Sequence, residues 1–216
     1  MKNTKAISDH LAHIMIEIGA IKLSPEKPFK WASGNIMPIY TDNRLLLCEE
    51  EFRRFVSRGF CEIIQNNQIS VDLVAGTATA GIPHATTLAN DLKLPLSYVR
   101  PEPKGHGRKK IIEGSILLGE NAILVEDLIS TGTSAIKAIK ALRGEGMHVD
   151  NCLAIFTYGL KNSINIFKDN NCKLHTLLTF PKLIEYSISN NLINNKQKEM
   201  LNDWYKDPFE WGKRFK

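Results

Sequence analysis

Long apolar runs are missing from this 216-residue chain: no stretch approaches 18 consecutive apolar residues, so no membrane-spanning helix is expected. Cysteine is scarce. The four thiols, Cys48, Cys61, Cys152 and Cys172, stand too far apart for a zinc-binding spacing, and free buried thiols in a reducing cytoplasm are the expectation. The opening string MKNTKAISDH lacks an apolar core and a cleavage-type ending, which predicts no secretion signal and a cytoplasmic protein. The string G-x-x-x-x-G-K-[ST] is absent, and with it the phosphate loop of the nucleotide hydrolases. There is no internal repeat and no low-complexity linker. Aromatic residues make up only 8% of the chain and do not interleave with its basic residues, and no DNA- or RNA-binding motif is present, so no nucleic-acid partner is expected.

What is present describes a globular α/β domain. A hydrophobic content of 43% and a charged content of 24% are ordinary for such a protein, and the length suits one domain with a modest appendage. The net charge of +5 is unevenly spread: over residues 100–110, five Lys or Arg stand against one Glu. A short basic segment of this kind fits a small polyanionic substrate, and it also fits plain solvation.

In chain order, Ile7, Leu11, Ile14, Met15 and Ile18 share one face of a helix over residues 5–20, with His10 and His13 expected on its rim. Phe29 and Trp31 alternate with polar residues, Ser33, Gly34 and Asn35 form a turn, and Pro38 interrupts the extended run that follows, which reads as an edge hairpin over residues 29–40. A second helix over 48–67 is predicted to turn Phe52, Phe55, Val56, Phe60, Ile63 and Ile64 to the core. A strand at 71–75 leads into the small residues 76–83, either a close backbone approach to an anion or a tight packing corner. A strand at 96–99 precedes the Pro- and Gly-rich basic segment, read as a mobile exposed loop. Strands at 149–157 and 174–178 and helices near 184–193 and 200–204 complete the pattern, with the Asn pairs at 190–191 and 194–195 as turns and caps.

The chain is organised around residues 122–134, AILVEDLISTGTS. Ile123, Leu124 and Val125 are the apolar run of a strand buried on both faces, and Glu126 and Asp127 stand at its carboxyl end. Ser130, Thr131, Gly132, Thr133 and Ser134 then form a hydroxyl-rich turn before a helical pattern of Ile136, Ile139, Leu142 and Arg143. A strand, a polar loop and a helix start make an anion site. Carboxylates repel phosphate, so the acid pair points to partners such as ribose hydroxyls, or to a divalent metal. A sugar phosphate satisfies both halves. The competing readings are an ordinary corner with a Ser or Thr N-cap and a nucleotide-hydrolase strand, the latter without its upstream loop.

The string EDLISTGTS after an apolar strand resembles the phosphoribosyl pyrophosphate (PRPP) motif of the type I phosphoribosyltransferases. The hairpin, which reads F-x-W-x-S-G-x-x-x-P-I-Y-x-D-N-R, and the string KGHG followed by IEG are similar to signatures of the orotate phosphoribosyltransferases. The resemblance covers most of residues 28–157. It implies a Rossmann-like parallel sheet flanked by helices, with a core over about 46–173 and a small hood from about 1–45 and 174–216, in one phosphoribosyltransferase domain of 1–216. It also implies transfer of ribose 5-phosphate from PRPP to orotate, giving orotidine 5′-monophosphate and pyrophosphate in pyrimidine biosynthesis.

By that match Lys104, His106 and Asp127 are the catalytic candidates. PRPP would meet Arg100, Lys104, His106, Glu126, Asp127, Leu128, Ile129, Ser130, Thr131, Gly132, Thr133 and Ser134, and orotate would meet Ser130, Ser33 and Gly34. Mg²⁺ is the implied cofactor, held mainly by the substrate's pyrophosphate and ribose hydroxyls with no direct protein ligand. The implied assembly is a homodimer whose basic loop completes the neighbouring site. The chain departs from some relatives at Ala32 and Ala80, where they carry Lys, at Pro101, and after Thr157, where they carry Arg. A phosphoribosyltransferase for a purine or uracil stays open at this point, and so does a non-catalytic PRPP-sensing regulator. An assay with several bases separates the first, and steeply salt-dependent RNA or DNA binding the second.

Overall fold

The computed structural model describes residues 2–31, 34–102 and 111–215, with side chains from residue 5 onward. In chain order the elements are α1 (Lys2–Glu17), β1 (Ile21–Leu23), β2 (Phe29–Lys30), β3 (Ile36–Met37), β4 (Ile39–Thr41), α2 (Glu50–Asn66), β5 (Leu73–Thr77) and α3 (Gly81–Leu92). There follow β6 (Leu96–Val99), β7 (Ile112–Gly114), β8 (Asn121–Ile129), α4 (Thr133–Gly144), β9 (His148–Thr157), α5 (Lys161–Asp169) and β10 (Lys173–Thr179). Then come α6 (Phe180–Ser189), α7 (Asn195–Lys206) and α8 (Pro208–Trp211). The chain divides into two compact units, one of Met1–Leu46 with Leu178–Lys216, the other of Leu47–Leu177.

The second unit is built on a six-stranded sheet in the order β10-β9-β8-β5-β6-β7. β5 runs parallel to β6 and β8, β8 runs parallel to β9, and the short β7 is antiparallel to its neighbour β6. The central strands read LVAGT and AILVE because helices cover both faces, and a strand buried on two sides has no polar alternation to show. One face packs Leu124, Ile129, Cys152 and Ala154 against Ile136, Ile139 and Leu142 of α4 and Phe167 of α5.

Arg143, predicted on the apolar face of α4, serves instead as a tether at its end. Its guanidinium donates to the carbonyls of Val149 and Asn170 at 2.7 Å and of Asn171 at 3.1 Å. Charge-assisted bonds of this kind contribute about 1.5–3 kcal/mol each, not additively. Arg143→Ala is therefore expected to lower unfolding stability by about 2–4 kcal/mol, read as a fall in the denaturation midpoint.

α2 departs from its expected core face. Val56 and Phe60 are buried, but Ser57 and Gly59 take the neighbouring buried positions, and Phe52, Phe55, Ile63 and Ile64 stay half-buried. The Ser57 hydroxyl donates to Asp91 of α3 at 2.5 Å, a bond that an apolar residue there would not make. The thiols also differ from expectation. All are free, yet only Cys152 and Cys172 are buried, while Cys48 is exposed in the turn before α2 and Cys61 is half-buried.

In the first unit, α1 buries Leu11, Ile14 and Met15 and leaves His10 and His13 exposed, as expected. The hairpin expected over 29–40 is two ribbons. β2 pairs with β3 antiparallel, and β4 pairs with β1, a strand the sequence did not suggest. Pro38 is the switch between them: it has no N–H for either ladder, and its carbonyl accepts from the Ser24 N–H at 2.8 Å. The Trp31 indole N–H donates to the Ile39 carbonyl at 2.9 Å, which pins one ribbon to the other. α7 starts earlier than predicted because Asn194 and Gln197 form a reciprocal capping box. It carries Trp204 into this unit's core, against Phe180 at 4.9 Å between ring centroids.

Candidate active site

β8 runs past its apolar residues. Glu126 pairs with Ala154, Leu128 with Phe156 and Ile129 with Thr157, so the acid pair lies inside the ladder and not beyond its end. The length of β9 explains this, since it offers a partner at each of those positions. Ile129 is buried in the core, and its carbonyl accepts from the Thr157 hydroxyl at 3.1 Å and the Tyr158 N–H at 3.2 Å. Leu128 is half-buried.

Glu126 is only 6% exposed. One of its oxygens accepts from the Asp127 N–H at 3.0 Å, and the other lies 3.5 Å from the Ser134 hydroxyl. Burial, and then the adjoining Asp127 carboxyl, push its pKa up to about 8, so in the free protein Glu126 holds its proton at neutral pH. A protonated acid donates as well as accepts, which suits a partner rich in hydroxyls.

A stability prediction follows from linkage. Between the ordinary value of 4.5 and about 8, the folded state binds more proton than the unfolded state. This contribution is complete below the lower value and is lost as pH rises through the window, at up to about 1.4 kcal/mol per pH unit. Thermal unfolding of the substrate-free protein should show that decline, and Glu126→Gln should flatten it.

Between β8 and α4, the N-cap position of the helix belongs to Gly132, at φ +82°, and no side chain caps it. The reading of an ordinary Ser or Thr N-cap therefore does not hold. α4's first N–H groups and the positive end of its dipole are left to face whatever enters the loop. Thr131 and Thr133 place their hydroxyl oxygens 3.2 Å apart, and Thr131, Thr133 and Ser134 are all exposed, with Ser130 half-buried before them. Behind the loop stands α5. A Cβ on residue 132 would lie 3.0 Å from Ile166 Cγ2 and from Phe167 Cε2, so glycine is required by both conformation and space.

Residues 76–83 adjoin this acid pair. A Cβ on Gly81 would come within 2.5 Å of the Val125 carbonyl oxygen, and one on Gly76 within 2.9 Å of Ala85 Cβ, so both glycines serve close packing. Thr77 is buried and donates to the Val125 carbonyl at 3.2 Å, tying β5 to β8 one residue before Glu126. A cavity of about 640 Å³ joins Thr77 and Ala78 to Ser134, Lys137 and Lys140 of α4 and to Arg100, at the root of the basic segment. Thr77 and Lys137 were not singled out in the sequence. Lys137 had a signal, since it follows Ser134 by three residues and so shares its helix face. Arg100 is held near Glu113, at 4.0 Å.

Of the other sequence candidates, Gly34 sits at φ +81° in the first unit, its N–H donating to the Trp31 carbonyl at 2.8 Å. Ser33, Lys104 and His106 lie outside the described residues. Among the described residues no three His, Cys, Asp or Glu side chains gather as a metal cluster, and no helix is long and apolar enough to cross a membrane.

Comparison with known proteins adds independent findings. Residues 50–176 match the family described as the Phosphoribosyl transferase domain. The orotate phosphoribosyltransferase of Listeria innocua is 43% identical over 208 residues, covering 96% of this chain and 100% of its own. The crystal structure of orotate phosphoribosyltransferase from Aeropyrum pernix superposes with a TM-score of 0.72 at 28% identity, over 85% of this chain and 99% of its own. That of the Mycobacterium tuberculosis enzyme in complex with PRPP gives 0.64 at 20% identity, over 82% of this chain and 98% of its own.

Proposed function

Because the chain belongs to the Phosphoribosyl transferase domain family, and within it to the orotate phosphoribosyltransferases, we propose that it transfers ribose 5-phosphate from PRPP to orotate. The products are orotidine 5′-monophosphate and pyrophosphate. The observation that carries this reading is the pairing, toward the carboxyl end of β8, of an acid couple, Glu126 buried and Asp127 half-buried, with an uncapped helix start. The first offers hydrogen bonds to ribose hydroxyls and the second offers N–H groups to a phosphate.

In the reaction the bond from the anomeric carbon to the pyrophosphate oxygen breaks, its electron pair leaves with pyrophosphate, and a bond to the orotate nitrogen forms. The transition state has oxocarbenium character and asks for no enzyme nucleophile. Leu128, Ile129, Ser130, Thr131, Gly132, Thr133 and Ser134 would shape and line the 5-phosphate cradle, and Glu126 and Asp127 would hold the ribose. Arg100, Lys104 and His106 would neutralise the departing oxygens. Ser130, Ser33 and Gly34 are the proposed contacts to orotate.

Mg²⁺ is the proposed cofactor. It would arrive on substrate oxygens and keep part of its own water shell, and its chemistry there would be to offset the charge of the leaving group. A cytoplasmic homodimer, with the basic segment reaching the neighbouring site, completes the reading.

The test follows orotate by its ultraviolet absorbance. Orotate is expected to be consumed only with both PRPP and Mg²⁺ present, and consumption of a purine or uracil in its place would overturn the choice of base.

A further inference from the structure

A second polar groove, of about 770 Å³, lies at the opposite end of the sheet's strands. Asn121 opens β8 and His148 opens β9, in register with each other, and both line it. Glu126 and Asp127 stand toward the other end of β8. The eight steps from Asn121 to Ile129 span roughly 26 Å, so the groove is no extension of the phosphate cradle.

Its lining has a distinct chemistry. Lys168, in the last turn of α5, and Lys173, the first residue of β10, bring in two ammonium groups. Neither has an ion-pair partner among the described residues. The acid on the lining is Asp150, and the Arg143 guanidinium stands 3.5 Å from its carboxylate. The nearby Asp72 carboxylate is occupied by the N–H and the side-chain amide of Asn121, at 2.9 and 3.0 Å. The lining therefore sets two ammonium groups against one carboxylate, which the Arg143 guanidinium already approaches.

Two imidazoles stand in the same lining, and burial and then the neighbouring Lys173 hold the His175 ring below its ordinary pKa, as a neutral hydrogen-bonding group. His148 is exposed, while His175 is half-buried and held by its Nε2, 2.9 Å from the Asn151 amide oxygen. On the side of the turn after α2, Asn67 and Gln68 present carboxamides, groups that donate and accept at once. Paired ammonium groups beside an oriented imidazole recognise a phosphoryl group, and carboxamides recognise the mixed donors and acceptors of a heterocycle. The volume falls within the range of small-molecule pockets.

We propose that this groove is a non-catalytic binding site for a ribonucleoside 5′-monophosphate, its phosphate held by Lys168 and Lys173 and its base by the facing carboxamides. The site stands apart from the transferase reading and does not depend on it.

The test titrates each of the four common ribonucleoside 5′-monophosphates into the full chain while the imidazole resonances of His148 and His175 and the backbone amides of the phosphate cradle are followed by NMR. With at least one nucleotide, both imidazole signals should shift and saturate with a Kd below about 1 mM. In the Lys168→Ala/Lys173→Ala variant that affinity should fall at least about tenfold, equivalent to 1.4 kcal/mol, with melting temperature and orotate turnover unchanged. Inorganic phosphate and the free nucleosides should each bind more weakly than the nucleotide. Shifts confined to the amides of residues 131–134 would overturn the proposal, as would shifts that persist in the double variant or an absence of shifts with all four nucleotides. Equal binding of inorganic phosphate or of a bare nucleoside would overturn it as well.

Discussion

Gly132→Ala should lower kcat/KM for PRPP by a factor of roughly 30 to 5,000, the equivalent of about 2–5 kcal/mol. Two independent effects add to this. A side chain at φ +82° carries a left-handed penalty of about 1–2 kcal/mol. The new methyl would also press on Ile166 and Phe167 at 3.0 Å, and forcing a carbon into packed surroundings costs about 1–3 kcal/mol. Phe167 is 3% exposed and part of the core, so it cannot swing aside. The loop yields instead, and α4's first N–H groups turn away from the phosphate they are proposed to hold. Combining Gly132→Ala with Phe167→Ala should recover part of the loss, because it removes the steric half and leaves the conformational half. An unchanged KM for PRPP in the single variant would mean that the phosphate does not sit in this loop.

The second large effect concerns the basic segment. Lys104→Ala should reduce kcat by about a hundredfold while leaving the KM for orotate within a small factor, since negative charge gathers on the leaving oxygens only as the bond breaks. An electrostatic donor of this kind is worth about 3 kcal/mol in the transition state. If the segment works on the neighbouring subunit, mixing Lys104→Ala chains with Asp127→Asn chains should restore part of the activity, because each mixed dimer then contains one intact site. A verified mixed dimer with no recovery would place the segment in its own subunit's site.

Most of the central sheet could be read from the chain. Apolar runs such as AILV and CLAIF have one explanation, a strand covered on both faces, and they lie where β8 and β9 run. The loop chemistry was equally legible, because one glycine among hydroxyls before a helical pattern is a local signal. Elements fixed by distant partners were not legible. β1 and β7 are three residues long, and each exists through its pairing, with β4 and β6 respectively. The continuation of β8 through Glu126 and Asp127 depends on a neighbour, β9, long enough to pair with it. Ser57 and Gly59 fell outside the apolar face expected of α2 and are buried, Ser57 with its hydroxyl bonded to Asp91 of α3. Thr77 gave no signal at all, since its importance lies in a bond to a carbonyl 48 residues away.

The roots of the basic segment carry a last consequence. The Arg100 N–H donates to the Ile111 carbonyl at 2.7 Å, and Val99 pairs with Ile112, so the two roots of the segment are tied to each other at the sheet. Closure entropy grows only logarithmically with the length of such an excursion: doubling it adds about 0.6 kcal/mol. Length and composition there can drift, or be engineered, almost independently of what keeps the molecule folded. The part of the chain proposed to touch the leaving group is thereby insulated from the part that must not change.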